Sequence, residues 1–283
     1  MKKKRLIILL SILFVLVVIV VLSSTVFTLK NVVVNFYDYY DNMVDDISKN
    51  EYFNSTEKID GVIDSAEFNY GKNIFLLNKN SYKQKLEKNN PYIKVISMTI
   101  EFPNRMVVKA IERREYYAVL NNSNTYLVCD SEFKVLRVSQ TKPVGLIEVV
   151  ASEGKTIFDY NSTDSNKTAG DFVEFAENTK ILLSLADEMY SCRCEREKML
   201  GLFSKLTLKT ELCSNQELGE VDSIIIKTYA GVEIEIENIN NNFADKVLKS
   251  LEFYNKANID NPEQTAKGVI KIFDNLVGNW TED

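Results

Sequence analysis

IKVISMTIEFPNRMVVKAIE, Ile93 to Glu112, reads as two strands rich in β-branched residues, Ile93 to Phe102 and Arg105 to Glu112, folded back on each other through a Pro103-Asn104 turn. Working outward, Pro91 lies just ahead and biases Asn90 away from helical torsions, so a helix starting at Asn80-Ser81 and carrying Tyr82 and Leu86 is predicted to stop near Asn89. Further back, Asn54-Ser55-Thr56-Glu57 offers a helix cap, and Ile59, Val62, Ile63 and Ala66 follow at helical spacing until Asn69-Tyr70-Gly71 breaks the pattern. Phe27 to Phe36, with the apolar run Val32, Val33 and Val34, reads as a first strand. The acidic and aromatic stretch from Tyr37 to Asn54 reads as a surface insertion. The order is therefore strand, helix, helix, strand, strand.

Downstream, Leu206, Leu208 and Leu212, then Ile224 and Ile226, then Val232, Ile234 and Ile236 alternate as half-buried strands with one face in a core. Two stripes at helical spacing, Phe172–Phe175–Thr179–Leu182–Ala186–Met189 and Phe243–Val247–Leu251–Tyr254, would pack on that sheet. Glu233, Glu235 and Glu237 fall on the opposite face and read as solvated. The polar stretch Ser152 to Gly170 reads as a second insertion.

Upstream, the 22 residues from Leu6 to Phe27 carry no charge and stand directly behind Lys2, Lys3, Lys4 and Arg5. As a helix they would reach about 33 Å, enough for a hydrocarbon core of about 30 Å. The basic cluster precedes the run, so the positive-inside bias keeps the N-terminus in the cytoplasm and puts everything after Phe27 outside. A cleaved signal peptide would have a shorter apolar region and a small-residue cleavage site; the first alanine of the chain is Ala66. No cysteine stands there to carry a lipoprotein anchor.

The chain has 283 residues and a net charge of −6; with the four basic residues on the far side of the run, the external remainder carries about −10, which disfavours a nucleic-acid role. The absence of histidine removes the commonest general base and metal ligand together. Cys192 or Cys194 could bridge to Cys213, but the scatter of Cys129, Cys192, Cys194 and Cys213 is not that of a disulfide framework. No phosphate-binding glycine loop and no internal repeat is present, and no cofactor is implied.

Several landmarks in order, GKNIFLL at Gly71 to Leu77, Pro91-Tyr92-Ile93, Phe102-Pro103-Asn104 and Glu112-Arg113, resemble the POTRA domain of the FtsQ/DivIB cell-division proteins. YLVCDSEFKVLRV, Tyr126 to Val138, is similar to a hairpin of that family, and the hairpin Val221 to Ile236, the helix Phe243 to Tyr254 and the closing Gly268 to Ile272 are similar to its β domain. The chain departs from the pattern at Phe133, where the family usually has glycine, at Glu115 near an expected proline, and at Lys271 in place of an aspartate. The resemblance implies an α+β chain: a cytoplasmic tail at 1–5, a single N-terminal transmembrane helix at 6–27, a POTRA domain (β-α-α-β-β) at 28–115, a mostly antiparallel β domain with packed helices at 116–276, and a C-terminal tail at 277–283.

It implies a non-enzymatic scaffold at the division septum, which recruits FtsL-like and FtsB/DivIC-like single-pass coiled-coil proteins and links them to the septal peptidoglycan synthase complex. An exposed sheet edge can capture a partner strand, and the closing segment Val269, Ile270, Lys271, Ile272, Phe273 and Asp274 is the expected site. Two other classes stay open: a membrane-anchored wall hydrolase working with two carboxylates, and a sensor or sporulation-type assembly protein built on a POTRA-like fold.

Overall fold

A computed structural model describes residues 10–18, 25–38, 42–44, 46–121, 123–151, 167–173, 201, 203–212, 218–239, 241–260, 268–273, 275–276 and 278–282. The chain separates into two compact units, Met1–Arg113 and Arg114–Asp283, each with its own hydrophobic core.

In the first unit the order is β1 (Asn31–Tyr37), α1 (Thr56–Ser65), α2 (Lys79–Asn89), β2 (Ile93–Glu101) and β3 (Arg105–Glu112), with single 3₁₀ turns at Ile47–Lys49 and Ile74–Leu76. The sheet order is β1-β3-β2, with β1 parallel and β2 antiparallel to the central β3. Alternation does what the pattern requires: Val32, Val34 and Phe36, Ile93 and Val95, and Met106, Val108 and Ala110 are buried under Val62, Ala66, Tyr82 and Leu86 of the helical segment. The first strand starts later than the expected Phe27. Phe27, Leu29 and Lys30 give their backbone bonds to the loops at 71–74 and 104 instead of to β3.

Both helices carry side-chain caps. The Ser55 hydroxyl accepts from the Lys58 N–H, and the Asn78 side chain accepts from the Ser81 N–H. The second cap lies two residues ahead of the expected Asn80-Ser81 because Asn78 is the side chain placed to take an orphan donor. Asn90 closes α2 outside helical torsions, as Pro91 demands, and its N–H still donates to the Leu86 carbonyl.

The end of the acidic excursion is no bystander. Phe53 is buried and stacked on Phe36 with ring centroids 5.0 Å apart, and Tyr52 stacks on Tyr92 at 4.2 Å. Glu112 holds the segment in place: its carboxylate accepts the backbone N–H groups of Glu51, Tyr52 and Phe53 at 2.6 to 2.8 Å. Its neighbour Arg113 is buried, donating its backbone N–H to the Tyr92 carbonyl and Nε to the Ile93 carbonyl. The Glu-Arg landmark is thus a pair of backbone clamps.

The second unit contains β4 (Tyr117–Leu120), β5 (Tyr126–Cys129), β6 (Val135–Ser139), β7 (Ile147–Ala151), β8 (Phe203–Leu212), β9 (Leu218–Thr228), β10 (Val232–Glu237), α3 (Phe243–Asp260), β11 (Gly268–Ile272) and β12 (Gly278–Glu282). They form one sheet in the order β12-β11-β10-β9-β8-β7-β4-β5-β6. Antiparallel pairing prevails, but β10–β11, β4–β7 and β7–β8 run parallel. The β10–β11 pair needs a crossover, and α3 supplies it. Phe243, Val247 and Tyr254 of α3 join Ile234, Ile236, Ile270 and Ile272 in the core, as the stripe predicts. The fully buried Lys246 donates its ammonium to the carbonyls of Glu237 and Asn238, fixing the start of α3 against the end of β10.

The other expected helical stripe lies outside the described residues except for Phe172, which forms an isolated β-bridge with Lys134 and not a helix. The expected Cys192 or Cys194 bridge to Cys213 also lies outside them. Cys129 is a free, buried thiol, pushed well up from its usual pKa by burial and then by the Asp130 charge, which suits an inert core residue.

Candidate partner-binding edge

The expected recruiting segment occupies β11 and the residue after it. Val269 and Lys271 are half-buried on one face, Ile270 and Ile272 are buried on the other, Phe273 comes next and accepts the Leu276 N–H, and Asp274 lies outside the described residues. The structure brings these residues together but denies β11 a free edge. It pairs with β10 on one side (Ile234 opposite Ile270) and with β12 on the other (Ile270 opposite Trp280). The expected C-terminal tail is a strand.

The sheet therefore ends at β12 and β6. The start of β6 is already covered: the Val135 N–H donates to the Asp171 carbonyl, the Gly170 N–H donates to the Val135 carbonyl, and Lys134 bridges Phe172. Among the described residues, no strand pairs with the outer side of β12. Its first residue, Gly278, is matched to α3. A Cβ there would stand 2.5 to 2.8 Å from the Phe253 ring, so the absence of a side chain lets that ring lie over the strand.

Behind this edge, the polar face of the sheet is knitted by charge. Lys271 Nζ lies 2.9 Å from the Glu235 carboxylate and Lys227 Nζ lies 3.1 Å from Glu233, while Glu148 meets Lys142 at 3.0 Å and Lys205 at 3.8 Å. Glu235 is buried and not solvated as its alternation suggests, because the Lys271 ammonium on the adjoining strand closes over it. The hydrogen bond to Glu235, then its charge, raises the pKa of Lys271 above the ordinary lysine value. A cation at this place in β11 is thus answered within the sheet.

The departures at Phe133 and Glu115 have local explanations. Phe133 adopts the left-handed φ of +57° that a glycine would take, and its buried ring stacks on Tyr117 at 4.5 Å, nearly parallel. Asp130 supports the same corner by accepting the N–H groups of Glu132 and Lys134. Glu115 receives a two-pronged hydrogen bond from Arg137, at 2.7 and 3.0 Å.

A β-α-α-β-β domain followed by a mixed sheet with a helical crossover defines a POTRA-bearing two-domain protein. The family model described as the POTRA domain, FtsQ-type, matches residues 54–113. The chain is similar to cell division protein DivIB of Clostridium acetobutylicum, 28% identical over 104 residues, which cover 37% of this chain and 40% of that protein. It is also similar to cell division protein DivIB of Clostridium tetani, 25% identical over 138 residues, covering 48% of this chain and 51% of that protein. The chain thus spans about half the length, or less, of these relatives. Residues 54–113 carry a POTRA domain of the FtsQ type, and the chain is similar to DivIB cell-division proteins.

The residue range that sequence reasoning missed is Gly278 to Glu282. The signal that could have found it is faint: a five-residue stretch entered through Asn275-Leu276, where Leu276 takes a left-handed φ of +58°.

Proposed function

We propose that this protein is a non-enzymatic, membrane-anchored scaffold of bacterial cell division that captures a partner strand along the outer edge of β12. The observation that carries the reading is this edge, with which no strand pairs among the described residues. A row of N–H and C=O groups left without a neighbour is a template for β-augmentation, in which main-chain bonds supply affinity and alternate side chains supply selectivity. The Val269 to Asp274 segment takes part from behind, since β11 is the strand on which β12 lies. Kinship with DivIB proteins supports the division role, and with it FtsL-like and FtsB/DivIC-like partners that couple the scaffold to septal peptidoglycan synthesis.

The anchor is the run from Leu6 to Phe27. Among the described residues no helix is long and apolar enough to cross a membrane, but residues 10–18 are helical, and their large apolar side chains are 39 to 69% exposed on every face. A helix that is apolar all round and uncovered by its own protein fits a lipid environment. The N-terminus is cytoplasmic in this reading, and both units lie outside.

Proline scanning of the full-length protein tests the edge. Successive N–H groups of a strand point alternately to its two neighbours, so of Asn279→Pro and Trp280→Pro, one removes an inward bond and the other an outward one. The outward substitution abolishes co-purification of FtsL-like and DivIC-like proteins while thermal stability holds. Native co-purification with both variants would remove β12 from the interface.

A further inference from the structure

Of the described large apolar side chains in residues 25–113, the three most exposed are Leu76 at 69%, Phe102 at 66% and Phe75 at 61%. They are not scattered. Phe75 and Phe102 lie 5.8 Å apart between ring centroids, and both touch Phe27, at 5.7 and 6.2 Å. Phe27 closes the span assigned from Leu6, three residues before the first charge at Lys30, so this patch is continuous with the proposed membrane segment and sits where the chain leaves it.

The three loops that carry the patch are tied together by backbone bonds: Ile74 N–H to the Phe27 carbonyl, Leu29 N–H to the Lys72 carbonyl, Gly71 N–H to the Leu29 carbonyl and Lys30 N–H to the Asn104 carbonyl, each 2.9 Å. Lys30 and Lys72 are exposed on the same loops and can reach phosphate groups beside the apolar rim. A rigid, aromatic, lysine-flanked rim at the mouth of a span has the chemistry of a membrane–water interface, where rings rest at headgroup level.

We propose that Phe75, Leu76 and Phe102 are a second membrane contact, which enters the headgroup region of the outer leaflet beside the emerging chain and holds the POTRA domain against the bilayer. The inference rests on the span assigned under Proposed function. It converts a flexible tether into a fixed mount, with the Arg105 end of β3 toward lipid and the Glu112 end away from it. β3 separates these ends by about 23 Å.

Tryptophan quenching reads this directly. The full-length protein, carrying Trp280→Phe to remove its native indole, is reconstituted into vesicles of phosphatidylcholine and phosphatidylglycerol whose acyl chains are brominated near the headgroup. Phe102→Trp, and separately Phe75→Trp, places the probe in the rim; Tyr52→Trp places it at the Glu112 end, where the Tyr52 N–H bonds the Glu112 carboxylate. The expected result is that emission from position 102 or 75 is at least halved relative to unbrominated vesicles while position 52 is unchanged. Protein that floats with the vesicles after alkaline carbonate washing, yet shows no quenching at 102 and 75, overturns the mount and leaves the span standing. Protein that carbonate strips from the vesicles overturns the span and the mount with it.

Discussion

One left-handed corner in each unit, among several, makes an instructive pair, because the two are built from opposite materials. In the POTRA domain the residue is Gly71, at φ +80°, and nothing lies within 4 Å of where a side chain would begin. In the second unit it is Phe133, at φ +57°, with its ring fully buried against Tyr117. A left-handed torsion costs an L-residue about 1 to 2 kcal/mol, which glycine avoids. At Gly71 the corner is open to solvent and a side chain could return nothing. At Phe133 the ring fills the core of the sheet, a gain of about 2 kcal/mol or more that exceeds the strain. The same backbone need is met by an absent side chain in one place and by a large one in the other.

Truncating the second corner breaks the comparison most severely. Phe133→Ala keeps the strain and empties the ring's place, so it lowers stability by about 4 kcal/mol. Phe133→Gly empties the same space but relieves the torsion, and so loses about 1 kcal/mol less than the alanine variant. Denaturant melts of the two variants measure that gap. If glycine is no better than alanine, Phe133 carries no strain and the contrast with Gly71 dissolves.

Next in size is Glu112→Ala. It leaves three backbone donors of residues 51–53 without their carboxylate and lowers the stability of the POTRA domain by about 2 kcal/mol. Hydrogen exchange localises the loss: amides of 51–53 and of β1 exchange faster, while those of β8 to β10 are unaffected. Gly71→Ala ranks third, at about 1 kcal/mol, because the space is open and only the torsion resists. A loss of several kcal/mol there would mean that the corner is crowded after all.

The sequence was readable where local chemistry decides. Ile93 to Glu112 announces its two strands because alternation and a Pro-Asn turn lie side by side, and Ser55 announces α1 because a cap acts within three residues. Phe53 hid in an acidic, aromatic stretch because its burial depends on Glu112, about sixty positions away. The outermost strand, β12, was missed for the same reason. Val269 to Ile272 is apolar and easily seen, whereas Gly-Asn-Trp-Thr-Glu at 278–282 has one large apolar residue and becomes a strand only through pairing with β11. Glu235 looked solvated because alternation says which face a side chain takes, and only the neighbouring strand says that Lys271 covers it.

The smallest effects separate the units by pH, through one lysine–glutamate pair in each. Glu67 in the POTRA domain accepts a hydrogen bond from Lys85, which with the lysine charge holds its pKa below the ordinary 4.5. Such a group stabilises the fold above 4.5, and the contribution fades as acid protonates the folded carboxylate. In the second unit the raised pKa of Lys271 works at the other end: its contribution is complete below the ordinary 10.5 and is lost as pH climbs through the higher folded value. Trp280 of β12 is paired with Ile270 of β11, the strand that carries Lys271, and denaturant melts at successive pH values read the alkaline transition. Lys271→Met removes this lysine's share of the alkaline loss of stability and leaves the buried Glu235 without its cation; Lys85→Met removes the share of Glu67 on the acid side. If Lys271→Met left the alkaline melt unaltered, the Glu235 contact would be a bystander and β12 would be held by its ladder with β11 and the Phe253 ring over Gly278.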